Sequence, residues 1–298
     1  MTATPKKVFF DTCVYLDAAK QSGGISGGDW DSVQRYVGEH YQTYVSWTTL
    51  KELLCRLANC RDEYFVHNQN ALKCASKHGY LPGMFLEKPH VFAIRQVLGI
   101  DVYPGLDREG RANVPHQVWA ESVLDMVFKA TNKLELLNGV RLGSNTTMHG
   151  TFDLRDFADH EEQARLEFVR LSEGWRAGTV DTPNPIKIAA NLLNDSGITP
   201  YTESSKKLSD ALDAVNSTID WLWKTSKTSS YSFEKHKNDW DDIQQLYYLC
   251  DPARTFVTLN TCDFMKWAKN SPQSTQIISW ADFLGQSRRN VFAATARR

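Results

Sequence analysis

The chain has no apolar run approaching the roughly 20 residues a membrane-spanning helix requires. Its first residues, MTATPKK, lack the apolar core of a signal peptide, so a cytoplasmic protein with no membrane partner is expected. The six cysteines, at 13, 55, 60, 74, 250 and 262, are scattered without a tight CxxC pair. Reduced thiols are therefore expected, rather than a disulfide framework or a zinc knuckle. Neither GxGxxG nor GxxxxGK[ST] occurs, and the glycines of QSGGISGG do not have the spacing of a phosphate-cradling loop. No repeat of fixed period appears, which argues against a solenoid. Net charge is also scarce: 34 Lys and Arg against 35 Asp and Glu leave −1. Such a protein does not coat nucleic acid nonspecifically, and any RNA contact has to come from local basic patches.

What is present is a 298-residue chain with 42% hydrophobic and 23% charged residues, ordinary for a globular protein and long enough for one enlarged domain or two small ones. The stretch 238–264 reads as helix, link, strand and turn. Trp240, Ile243, Leu246, Tyr247 and Cys250 recur at helical spacing and predict one buried face. At 100° per residue Asp242 lies at the margin of that stripe and Asp239 close to it, while Asp241 points nearly opposite, into solvent. Pro252 ends the helix, and Thr255 to Thr258 make a β-branched and aromatic strand with Asn260 and Asp263 beyond its carboxyl end. At the other end of the chain, residues 7–10 (KVFF) read as an apolar strand with Asp11 and Thr12 at its carboxyl end, before a short helix over 14–19. A second strand over 43–47 leads into a leucine-rich helix carrying Glu52 on the side away from the leucines. Ligands in open α/β sheets sit at the carboxyl ends of strands, so these segments are expected to bring Asp11, Glu52, Asp242 and Asp263 to one pocket.

VFFDTCVYL, TTLKELLCRL, DDIQQLYYL, VTLNTCDF and IISWADFL, in that order, resemble the successive motifs of PIN-domain nucleases. The likeness covers about the first and last sixty residues, and VTLNTCDF, which pairs a strand with Thr-x-Asn and Asp-Phe, is its most specific piece. It implies a three-layer α/β/α parallel sheet over 1–60 and 236–298, and a metal-dependent endoribonuclease whose catalytic and metal ligands are Asp11, Glu52, Asp242 and Asp263. Gln244, Gln245 and two tyrosines stand where family members carry small residues. That leaves the third ligand open among Asp239, Asp241 and Asp242, with Asp242 at the matched position. The resemblance further implies an RNA substrate, a toxin or defence role on tRNA or mRNA, a protein regulator such as an antitoxin, and a homodimer.

Carboxylates brought within a few Å repel one another, so such a cluster either raises its pKa values or binds cations. Oxygen ligands without an adjacent His suit Mg²⁺ or Mn²⁺ rather than zinc. Two such ions about 4 Å apart would activate a water and stabilise the leaving oxygen. Thr12, Thr258 and Asn260 would orient a carboxylate or phosphate, and Asp239 would support a second ion or a water. Each acidic residue also has a plainer reading: Asp11 as a turn residue, Asp263 as the N-cap of a helix at Phe264, and Glu52 as part of a Thr49-x-x-Glu52 capping box.

Between 61 and 235 the pattern is helical and proline-punctuated, and it predicts an all-helical insertion shaping or covering the catalytic face. Its expected helices span 62–77, 89–98, 118–137, 154–175, 186–193 and 203–225. Cys55, Cys60, Cys74 and His78 read better as buried packing than as zinc ligands. The acidic run Asp153, Asp156, Asp159, His160, Glu161 and Glu162, interleaved with arginines, reads as a solvated ion-paired face. Lys206, Lys207, Lys224 and Lys227 make a weak basic cluster, and Arg288, Arg289, Arg297 and Arg298 a basic tail. Two other classes of function stand beside the nuclease: a catalytically silent PIN-like scaffold binding RNA or protein, and a structure-specific DNA nuclease, for which no basic arch or DNA-binding hairpin is found.

Overall fold

After Lys7 the run VFF is apolar without alternation, which is what a strand covered on both faces requires, and Val8, Phe9 and Phe10 are fully buried. The computed structural model describes residues 6–20, 27–78, 84–102, 116–138, 153–228 and 231–286, the side chains of 27–29, 31, 32 and 116 excepted. Residues 21–26 of the glycine stretch, the side chains of Asp29 and Asp31, and the basic tail 288–298 lie outside that description.

The chain runs β1 (Lys6–Phe10), α1 (Thr12–Ala18), α2 (Gly27–His40), β2 (Tyr41–Tyr44) and α3 (Trp47–Asn59). A 3₁₀ turn at Asp62–Tyr64 precedes α4 (Phe65–His78), α5 (Pro89–Leu98), α6 (His116–Lys129), α7 (Lys133–Leu137), α8 (Leu154–Ala177), α9 (Pro185–Asp195), α10 (Thr202–Ala211) and α11 (Asp213–Ser226). Then follow α12 (Asp239–Leu246), a 3₁₀ turn at Tyr247–Cys250, β3 (Arg254–Thr258), α13 (Thr261–Trp267), a 3₁₀ turn at Pro272–Gln276, β4 (Ile277–Ser279) and a helix over 280–286.

The strands form one all-parallel sheet in the order β2-β1-β3-β4. Side chains alternate across it. Val8, Phe10, Val257 and Ile278 face a core built with α1, α2, α3, α4 and α6, whereas Phe9, Phe256 and Ile277 face a second core built with α5 and α8 to α13. Phe9 stacks on Phe256 at 4.8 Å between centroids, tying the two central strands on that face. The sheet is thus a middle layer between two helical layers, and helices from the middle of the chain contribute to both.

Several boundaries differ from expectation. The second strand lies at Tyr41–Tyr44 rather than 43–47, because Ser46 is taken up as the N-cap of α3, accepting from Thr49 N–H at 3.0 Å. That cap also displaces the Thr49-x-x-Glu52 capping box: Glu52 lies in the second turn of α3 and caps nothing. Among the described residues of the middle segment the regular elements are helical, and the one β-type pairing is a bridge of Phe85 to Val45.

Candidate active site

The order β2-β1-β3-β4 sends the chain from β1 to β2 on one side and leaves β3 on the other, so the carboxyl ends of β1 and β3 flank the topological switch point, where open α/β sheets hold ligands. Asp11 follows β1 and Thr258 closes β3, and the Thr258 hydroxyl donates to Asp11 Oδ2 at 2.7 Å across that crevice. Asp11 also accepts from Thr12 N–H at 2.7 Å and from the Cys13 thiol at 2.9 Å. Burial nevertheless dominates and raises its pKa, the three donors and Arg56 offsetting only part.

Glu52 reaches the same crevice from α3 and accepts a short hydrogen bond from the Thr12 hydroxyl. Burial, with the negative charges of Asp241 and Asp11, pushes its pKa up to about 8. Asp242, on α12, is raised well above the usual carboxylate range by burial and then by Asp11, Glu52, Asp239 and Asp241. Three segments far apart in sequence therefore meet as a mutually repelling carboxylate cluster. Arg56, exposed one turn beyond Glu52 on α3, lies close enough that its charge favours the ionised forms of Asp11 and Glu52.

Asp239 is buried one turn earlier on α12, takes a short hydrogen bond from the Tyr231 hydroxyl and lies 3.8 Å from His236 Nδ1. The His236 ring stacks on Tyr231 at 4.7 Å. Asp263 is exposed on the first turn of α13, near enough for its charge to act on Asp239 and Tyr231. It is not the N-cap of that helix; Asn260 holds the position, and its N–H donates to the Thr258 hydroxyl at 2.9 Å. Thr12 and Thr258 thus bind carboxylates as donors, whereas for Asn260 it is the backbone that engages the site.

Asp241 is not solvated. It is fully buried, 2.7 Å from Lys51 Nζ and 2.6 Å from Arg165 Nε, while Lys51 also meets Glu161 at 3.0 Å. The face of α12 opposite its apolar stripe is covered by α8, which supplies polar partners that a hydrophobicity pattern does not register. For the same reason the acidic run at the start of α8 is only partly a solvent face: Glu161 and Arg165 turn inward. Gln244 and Gln245 belong to the same seam. Gln244 accepts from Lys51 at 3.2 Å; Gln245 accepts from Ser46 at 2.8 Å and donates to the Thr49 hydroxyl at 3.0 Å, which itself donates to Phe10 C=O at 3.0 Å.

His78 is a core residue between the Tyr15 hydroxyl at 2.8 Å and the Gln34 amide at 2.9 Å, and the cysteines near it are free. Among the described residues no three His, Cys, Asp or Glu side chains are grouped so that they hold a metal ion as they stand. The chemistry of Asp11, Glu52 and Asp242 still suits a hard divalent cation: all donors are oxygen, and their crowded charge requires either protons or a cation. No helix among the described residues is long and apolar enough to cross a membrane. Comparison with protein-family models, with curated proteins and with solved structures finds no match.

Proposed function

We propose that this chain is a metal-dependent endoribonuclease on a PIN-like core, with the stretch 61–235 as its helical elaboration. The observation that carries the reading is the convergence of buried Asp11 with half-buried Glu52 and Asp242, mutually repelling, on the switch point between β1 and β3. Bound by these carboxylates, with Asp263 at the outer edge, Mg²⁺ or Mn²⁺ would activate water and stabilise the leaving oxygen of a phosphodiester. Thr258 and Thr12 hold Asp11 and Glu52 in place for that role, and Arg56 offers an exposed cation to a phosphate at the rim. A toxin or defence role on tRNA or mRNA belongs to the same reading.

Incubation of the purified protein with RNA and with single-stranded DNA, each with Mn²⁺ or EDTA, tests it. Cleavage of RNA that stops with EDTA is the expected result, and Asp11→Asn is expected to abolish it while melting as a folded protein. Cleavage of DNA alone would favour a DNA nuclease. RNA binding without cleavage, under any metal, would favour a silent scaffold.

A further inference from the structure

The only fully buried lysine among the described residues immediately precedes Glu52, and its partner Asp241 immediately precedes Asp242. We infer that the Lys51–Asp241 ion pair, braced by Glu161 and Arg165, is a positioning device that sets the register of α3 against α12 and so presents Glu52 and Asp242 to each other and to Asp11. The Lys51 side chain is 2% exposed and that of Asp241 1%, so a one-residue slip of either helix would strand a charge in the interior. The bracing residues come from one face of α8, a turn apart, and the 2.6 Å bond from Arg165 Nε holds the carboxylate oxygen that Lys51 does not take. Gln244 accepts from the Lys51 ammonium, and the next residue, Gln245, donates to the Thr49 hydroxyl, which donates in turn to the carbonyl of Phe10, next to Asp11.

Stability alone is a weak reason for such a network. Burying four charged groups costs desolvation that their attraction only partly returns, and apolar side chains of similar volume often serve as well or better. What apolar packing does not supply is register, since methyl groups tolerate sliding and paired charges do not. With Glu162, 3.5 Å from Arg165 and itself paired with Lys237, the network has three cations and three anions, so its charges balance among themselves and do not neutralise the three carboxylates Asp11, Glu52 and Asp242. Its predicted effect on metal rests on the nuclease reading; its effect on geometry does not.

The test is the paired variant Lys51→Met/Asp241→Asn, which removes opposite charges together and leaves an amide oxygen for Arg165. Its thermal melt is expected to show a folded protein. Its crystal structure is expected to show α12 displaced against α3, with the Asp242 carboxylate moved away from those of Glu52 and Asp11; unchanged carboxylate positions overturn the inference. Calorimetric titration with MnCl₂ is expected to show affinity weakened about tenfold or more, as for other groups that orient metal ligands, and kcat on RNA is expected to fall with KM unchanged. Wild-type Mn²⁺ affinity in the folded variant overturns the inference as well. If the wild-type protein takes up no Mn²⁺, the nuclease reading fails, and the crystal structure still decides the question of register. Should the paired variant not fold, Glu161→Gln removes one brace from the more exposed side of the network. It is then expected to shift the same carboxylates in the same direction, and its failure to move them overturns the inference.

Discussion

Asp241 and Asp242 are neighbours on α12 with opposite surroundings, and single substitutions should separate them. Asp242 sits among like charges, so Asp242→Asn removes repulsion: loss of cleavage is expected together with a melting temperature equal to or above that of the wild type in EDTA. Asp241 sits between Lys51 and Arg165, so Asp241→Asn leaves two cations short of an anion in the interior. A destabilisation of about 3 kcal/mol is expected, measured by urea unfolding. A stable Asp241→Asn protein beside a destabilised Asp242→Asn would contradict both assignments. The contrast also marks how far the site was legible. Asp11 and Glu52 could be placed because a strand end and the polar side of a leucine-rich helix are local patterns. Asp241 could not, because its burial depends on Arg165 and Lys51, which lie 76 and 190 residues away and carry no hydrophobic signal.

Elements with a local stop signal came out as expected: α5 spans Pro89–Leu98, opening on proline and closing on Gly99 at φ 68°, a left-handed cap that glycine adopts without strain. The expected helix over 118–137 instead breaks before Asn132, whose side chain accepts from Glu135 N–H at 2.9 Å while Glu135 accepts from Thr131 N–H at 2.8 Å. That arrangement is close to a capping box, and its residues were there to be read. The expected helix over 203–225 breaks at Leu212 with no proline or glycine to announce it. There Gln273, from the far end of the chain, donates to Ala211 C=O at 2.7 Å and accepts from Ala214 N–H at 2.7 Å, satisfying the groups the break exposes. Gln273→Ala is expected to cost roughly 1–3 kcal/mol in urea unfolding, since buried backbone groups lose their partner. On the other face of the sheet α4 brings His78 against Phe10, and burial lowers its pKa from 6.5 to about 3. A histidine depressed in this way binds its proton more readily in the unfolded chain. Its contribution to stability is therefore present above about pH 6.5 and lost as pH falls from there towards 3. Unfolding measured across that window should show a stability slope that is reduced in His78→Gln, whose amide can still meet both Tyr15 and Gln34.

At the scale of the whole molecule, the resemblance divides the chain into a discontinuous core and an insertion, but the packing does not follow that division. Both hydrophobic cores mix the two: Leu72 and Val123 join Val8 and Val257 on one face of the sheet, and Phe168, Leu208 and Leu222 join Phe9 and Phe256 on the other. The ion network crosses the same line, since Glu161 and Arg165 of α8 close around Lys51 of α3 and Asp241 of α12. Composition could show that residues 61–235 are helical, because helical periodicity is local; which faces those helices cover is decided by partners distant in sequence. A segment joined by flexible linkers would melt by itself and leave the sheet intact. Here removal of α8 would expose Lys51 and Asp241 and take Phe168, Val169 and Trp175 out of the second core, so neither part should persist without the other. Urea unfolding followed by tryptophan fluorescence and by far-ultraviolet circular dichroism is expected to give one coincident transition. Single tryptophans retained in turn at Trp175 in α8 and Trp280 beyond β4 should report the same midpoint, and two separated midpoints would show that the helical stretch folds as a unit of its own.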